Sequence, residues 1–245
     1  RIACERAHEL GLKVFARLEM NHEYGPASDD NWMWVCLVGS LNKNHPEYRI
    51  PNGVFLDFKH PEVRAFKLAI FREALEAGSD GLCLDLAVYP PFFEDPVAGT
   101  PIMTAFVREV RALCDEFGIV MIADEVMAGF ARCGEWFAIQ HWGVTPDLIT
   151  FAKGVNSGYV PIGGVIISEA IAATFRDRVY PGGLTYSGHP LACASAVASI
   201  QIFEEEGIVE HARMLGTDVI GPALTELAQR HPSIGDVRGL GAMWA

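Results

Sequence analysis

The sequence predicts an α/β protein, built on a mainly parallel sheet with flanking helices. Three observations carry that expectation. An apolar run over residues 118–123 stops abruptly at Asp124 and Glu125. That is the pattern of a buried parallel strand delivering carboxylates at its C-terminal end, where open α/β sheets hold their ligands. A second apolar run, residues 148–152, ends at Lys153 among Gly154, Gly158, Pro161, Gly163 and Gly164, residues that let the backbone turn sharply. Finally, a short apolar run at 54–58, a helical pattern after Pro61 and an apolar run at 80–86 follow one another at the spacing of a βαβ unit.

Residues 2–10 read as a helix stopped by Gly11. Residues 13–20 alternate as a strand that ends near Glu19 and Asn21. The stretch 22–52 is polar and turn-rich, with Gly25-Pro26, Asp29-Asp30 and Pro51-Asn52-Gly53. A loop of that length is typically functional or disordered, and its Trp32, Trp34 and Tyr48 suit either sugar stacking or a local core. Pro61 takes a first helical turn, and Val63, Phe66, Leu68, Ala69, Ile70 and Leu75 follow at mostly helical spacing up to Gly78. The strand over 80–86 delivers Asp85, ahead of the rigid turn Tyr89-Pro90-Pro91.

Residues 101–117 form an amphipathic pattern with Ile102, Phe106, Val107, Val110, Leu113 and Cys114 along one side. Beyond Lys153 the sequence predicts a strand at 162–167, a short helix at 169–175 and an alanine-rich helix at 188–203. His189, near the start of that last helix, fits a ligand contact, or else a helix-terminal or core histidine. A long amphipathic helix is expected over 208–230.

Half of the 245 residues are hydrophobic and 20% are charged, enough for a substantial core. A formal net charge of −12 argues against nonspecific binding to nucleic acid or anionic membranes. No two of the six cysteines form a CxxC, so neither a zinc ribbon nor a thioredoxin-type site is expected, and no metal is called for. Cys36, Cys83 and Cys193 lie in apolar runs and are expected to be small buried hydrophobes, in a reducing cytoplasm. The longest helical apolar stretch, 191–203, is too short to span a bilayer and carries Ser195, Ser199 and Gln201. The chain opens at Arg1 inside a helical pattern and closes in the strand-like GAMWA, so it reads as a fragment.

A lysine at a buried strand end must pair or lower its pKa, and a lysine so shifted is a nucleophile suited to a carbonyl cofactor. Pyridoxal phosphate needs that lysine and a carboxylate facing its pyridine nitrogen. Asp124 and Lys153, 29 positions apart, fit the requirement. They fit a structural ion pair equally well, and spacing alone does not choose.

The motifs IADEV, AKG and GLTYSGHPLACA resemble the class III (omega) aminotransferases, pyridoxal phosphate enzymes of fold type I, over about residues 111–245. The resemblance implies a PLP-transferase-like large-domain fragment that moves an amino group from an amine or amino acid to an oxo acid or aldehyde. It implies that Lys153 is the Schiff-base lysine, freed by the substrate amine to transfer a proton. It makes Asp124 the partner of the pyridine nitrogen and packs Val126 on one ring face. It also implies a homodimer, in which Thr185 binds the cofactor phosphate of the neighbouring subunit. The family's FGRTG is altered at Ala131 and Cys133, in a loop expected to lie away from the chemistry. The upstream glycine-and-serine phosphate loop and the aromatic residue of the other ring face have no equivalent in the sequence.

Residues 1–95 resemble instead the glycoside-hydrolase-like (β/α) barrels, through HELGLKVFARLEMN, LDFKHPEVRAFKLAIFREALE and DGLCLDLAVYPPFF. On that resemblance Glu19 and Asp85 are acid–base or sugar-binding carboxylates at the catalytic end of a partial barrel; a solvated or helix-capping carboxylate is the alternative for each. The expected organisation is therefore a partial barrel-like segment at 1–100, a PLP-binding core at 101–233 and the start of a truncated C-terminal small domain at 234–245, with a join between two families near 100–116. A carbohydrate-active barrel using Glu19 and Asp85 is the rival function, and a non-enzymatic assembly module the third.

Overall fold

In the computed structural model, helix α1 (Ile2–Glu9) gives way to Gly11, whose φ of +72° is a left-handed conformation that glycine adopts without steric cost. The structure describes residues 1–19, 40–51, 55–85, 96–235 and 237–244. They form two compact units, Arg1–Ile119 and Val120–Ala245.

In the first unit β1 (Phe15–Glu19) and β2 (Gly81–Asp85) pair in parallel, in register from Phe15 opposite Gly81 to Glu19 opposite Asp85. Between them come the short helix α2 (Ser40–Asn44), a 3₁₀ turn at Pro46–Tyr48 and helix α3 (Pro61–Glu76). Pro61 opens α3, where its missing N–H costs nothing, and Gly78 follows its end at φ +99°. The helix and second strand of the expected βαβ unit are present, but the strand that pairs with β2 is Phe15–Glu19, not 54–58. The core of this unit gathers Leu56, Phe58, Val63, Phe71, Phe106 and Val107, all buried, with the Phe106 ring meeting Phe58 and Phe71 edge-on at 5.6 and 6.2 Å.

Several expectations are corrected here. Helix α4 runs Pro96–Phe117, so Pro101 lies inside it rather than starting it. One missing backbone donor is tolerated because Phe106, Val107, Val110 and Leu113 anchor a buried stripe further along. The expected strand at 54–58 is reduced to a single bridge between Arg49 and Leu56, with residues 52–54 outside the described residues. Part of the expected loop 22–52 is helical in α2 and the 3₁₀ turn. Trp32, Trp34 and Cys36 lie outside the described residues.

The second unit holds a three-stranded sheet in the order β3-β4-β5. β3 (Ile122–Asp124) runs parallel to β4 (Leu148–Phe151), and β5 (Gly164–Ile167) returns antiparallel to β4. The expected burial of β3 does not hold, since Ile122 is 54% exposed; in β5, Val165, Ile166 and Ile167 are exposed as well. Apolar content set the strand tendency but not how the faces are covered.

Helix α5 (Glu169–Ala173) is capped by Ser168, whose Oγ accepts a hydrogen bond from the Ile171 N–H. Helix α6 (Pro190–Glu205) follows. The long helix expected over 208–230 is broken into α7 (Ile208–Met214), a π-helical stretch Leu215–Ile220 and α8 (Gly221–Arg230). The reason is a close approach. A Cβ on Gly216 would stand 2.1 Å from the Gly241 carbonyl oxygen, in the turn between β6 (Gly239–Leu240) and β7 (Met243–Trp244). The core of this unit is centred on Phe130, whose ring meets those of Trp136, Phe137, Phe151 and Phe203 at centroid distances of 5.5 to 6.3 Å.

Candidate active site

The two charged strand ends are built as neighbours. At their N-terminal ends, β3 and β4 are tied by Asp147, whose N–H donates to the Met121 carbonyl while its carboxylate accepts from the Met121 N–H at 2.8 Å. Parallel pairing then sets Asp124 opposite Thr150. The Thr150 hydroxyl donates to Asp124 Oδ1 at 3.0 Å, and the N–H of Val126 donates to the same oxygen at 3.1 Å. The Asp124 side chain is exposed, and among the described residues its Oδ2 has no partner.

Lys153 stands three residues beyond Thr150, opening the 3₁₀ turn Lys153–Val155 with an exposed side chain. Its φ is +42°, a left-handed conformation costing a non-glycine residue roughly 1–2 kcal/mol. Among the described residues no ion pair joins Asp124 to Lys153, so the structural ion pair that spacing allowed is not formed. Val126 is half-buried and begins the turn that leaves β3.

Glu125 points elsewhere. It is 4% exposed, and its two carboxylate oxygens accept the N–H groups of Ile139 at 2.8 Å and Ala138 at 3.0 Å. Its own N–H donates to the Thr150 carbonyl, and its carbonyl accepts from Gly129. This residue ties the end of β3 to the far side of the following loop. Sequence reading paired it with Asp124 as a delivered carboxylate, but strand alternation sends neighbouring side chains to opposite faces.

The loop carrying the FARCG motif is nearer the lysine than expected. A Cβ on Gly154 would come within 3.0 Å of Phe130 Cβ and 3.3 Å of the Gly129 carbonyl, so the residue after Lys153 rests on this loop. Phe130 and Ala131 both hold positive φ, 56° and 65°. Thr185 lies apart in sequence, at the start of an exposed turn over 185–188. Glu19 and Asp85 are backbone partners in the β1–β2 register; their side chains lie outside the described residues. Among the described residues no helix is long and apolar enough to cross a membrane, and no cluster of three or more histidine, cysteine or acidic side chains is placed to hold a metal.

The family model for aminotransferase class-III matches residues 98–245, more than half of the chain. The chain belongs to the class III aminotransferases. It is 48% identical over 143 residues to 4-aminobutyrate aminotransferase GabT of Escherichia coli, an alignment covering 58% of this chain and 32% of that protein. It is 43% identical over 157 residues to 5-aminovalerate aminotransferase DavT of Pseudomonas putida, covering 62% and 36%. The chain thus spans about a third of the length of these class III relatives.

Among solved structures, the taurine:2-oxoglutarate aminotransferase of Bifidobacterium kashiwanohense, in complex with PLP and glutamate, aligns with 99% of this chain and 56% of its own, at a TM-score of 0.68 and 31% identity. An S-selective transaminase of Bacillus megaterium aligns with 74% of this chain and 37% of its own, at 0.62 and 30%. The α/β fold of the class III chain is therefore that of its transaminase neighbours. The partial barrel expected before residue 100 gains no support from these matches, and neither does the glycoside hydrolase alternative.

Proposed function

We propose that the chain carries the lysine and the ring-nitrogen carboxylate of a pyridoxal phosphate-dependent class III aminotransferase. In the whole protein it would move an amino group from an amine or amino acid to an oxo acid or aldehyde. The observation that carries this reading is the state of Asp124: one carboxylate oxygen is held by Thr150 and Val126, and the other is open, on the strand beside the one leading to Lys153. A carboxylate held by two donors keeps its direction, which suits it to face a pyridine nitrogen.

These residues fit the cofactor. Lys153, exposed at its strand end, would bind the cofactor carbonyl; Val126 would lie against the ring, and Thr185 would meet the phosphate of a neighbouring subunit in a homodimer. When bound, the cofactor supplies an electron sink for the substrate carbon. The Lys153 amine, when free, would accept and return the proton at that carbon. The cytoplasm is the compartment proposed, and small amines and oxo acids the partners.

The test adds pyridoxal phosphate to the purified chain, reduces with borohydride and maps the modified lysine by mass spectrometry. A visible absorbance band and a reduced adduct on Lys153, both lost in Lys153→Ala, are expected. A band unchanged in that variant overturns the assignment and leaves only adventitious lysine labelling.

A further inference from the structure

The backbone of Lys153 is strained and its side chain is exposed, so its direction must be imposed by neighbouring residues. One contact is the seat of Gly154 on Phe130. The other is Asn156, the residue that follows the 3₁₀ turn and one of the most deeply buried polar side chains described, at 2% exposure. Its Nδ2 donates to the Val160 carbonyl at 2.7 Å and to Ser195 Oγ at 3.2 Å, and its Oδ1 accepts from the Gly158 N–H at 3.2 Å. Both amide protons are therefore used, one inside the loop and one on helix α6. A buried amide satisfied in this way resists rotation, because turning it strands donors that cannot reach water.

We propose that Asn156 is a positioning residue for Lys153: through Ser195 it fastens the loop 153–160 to α6 and so fixes where the lysine amine points. This rests on Lys153 being the cofactor lysine. It predicts that the amide's two donors matter more than its acceptor, and that Ser195 matters through its hydroxyl alone.

Four variants separate these roles: Asn156→Ala, Asn156→Asp, Ser195→Ala and Ser195→Thr. Asn156→Asp keeps an acceptor for Gly158 but loses both donors. Ser195→Thr keeps the hydroxyl that Ser195→Ala removes. The readout is the rate at which pyridoxal phosphate plus borohydride traps Lys153, divided by the rate at the chain's other lysines in the same sample. Asn156→Ala and Asn156→Asp are each expected to lower that ratio about ten-fold, and Ser195→Ala about three-fold, with Ser195→Thr restoring it. A loss of stability without displacement of the lysine would leave the ratio unchanged in every variant that folds, and that result overturns the proposal.

Should Asn156→Ala fail to fold, the two Ser195 variants decide by the same ratio. Should the unaltered chain fail to trap at Lys153, the pyridoxal phosphate reading falls by itself. The clamp is then judged by hydrogen exchange without cofactor: amides 154–160 are expected to exchange about five-fold faster in Ser195→Ala than in Ser195→Thr. Equal exchange in both overturns it.

Discussion

The Thr150 hydroxyl donates a 3.0 Å hydrogen bond to Asp124 Oδ1 across the β3–β4 pair. Directly opposite residues in neighbouring strands are the unit through which a sheet fixes side-chain direction, and here the fixed group is a carboxylate with one oxygen left open. Thr150→Val keeps the β-branched shape and removes the donor. A hydrogen bond to a charged acceptor contributes about 1.5 kcal/mol net, so pyridoxal phosphate should bind about ten-fold more weakly. Chemical denaturation should show little accompanying change, because valine fits a strand at least as well as threonine. Equal affinity in a cofactor titration of the two proteins would detach Thr150 from the site.

Glu125 is the stability counterpart of Asp124. Its buried carboxylate satisfies the N–H groups of Ala138 and Ile139, and removing it strands both donors. Glu125→Ala should cost the Val120–Ala245 unit about 3 kcal/mol in urea denaturation, and Glu125→Gln about half of that because one acceptor survives. A variant as stable as the unaltered chain would mean that the loop closes by other contacts.

Much of this site was legible because polarity changes abruptly. The strands ending at Asp124 and at Lys153 announce themselves where apolar runs stop, and their parallel pairing follows from that pattern. Thr150, Glu125 and Asn156 were not legible in their roles, since each depends on a partner fixed only by tertiary structure: Asp124 is 26 positions from Thr150, Ile139 is 14 from Glu125 and Ser195 is 39 from Asn156. The break in the helix expected over 208–230 was hidden for the same reason, because Gly216 matters only once the Gly241 carbonyl packs against it. The barrel resemblance of residues 1–95 rests on three short stretches, two of them carrying a strand that ends in a carboxylate. Glu19 and Asp85 do sit in register, but α/β folds of many families share that arrangement.

Neighbouring apolar residues do not set the burial of the cysteines expected to be core residues. Cys83 and Cys193 are exposed, whereas Cys133 is buried with its Sγ 3.8 Å from Met243 Sδ. Burial, with the negative charge of Glu125 adding to it against the opposing effect of Arg132, pushes the Cys133 thiol up to about 11. The reactive thiolate is then scarce near neutrality. Iodoacetamide at neutral pH, followed by peptide mapping, should label Cys83 and Cys193 well before Cys133. Early labelling of Cys133 would contradict the packing around the FARCG loop.

In the first unit, Asp80 makes acid stability testable. The Lys13 ammonium at 2.6 Å, the Val14 N–H at 2.8 Å and the His8 ring at 2.7 Å hold its carboxyl well below the usual carboxylate range. Because the folded chain releases this proton more readily than the unfolded chain, Asp80 contributes stability that is complete above the unfolded pKa of about 3.9 and declines as pH falls toward the lower folded value. Asp80→Asn removes the charge, so the unaltered chain should resist urea better at neutral pH, and its advantage should narrow steadily below about pH 4. Urea midpoints of the two proteins across that range measure the gap. A gap of constant size down to about pH 3 would assign the contribution of Asp80 to its shape and hydrogen bonding instead of its charge.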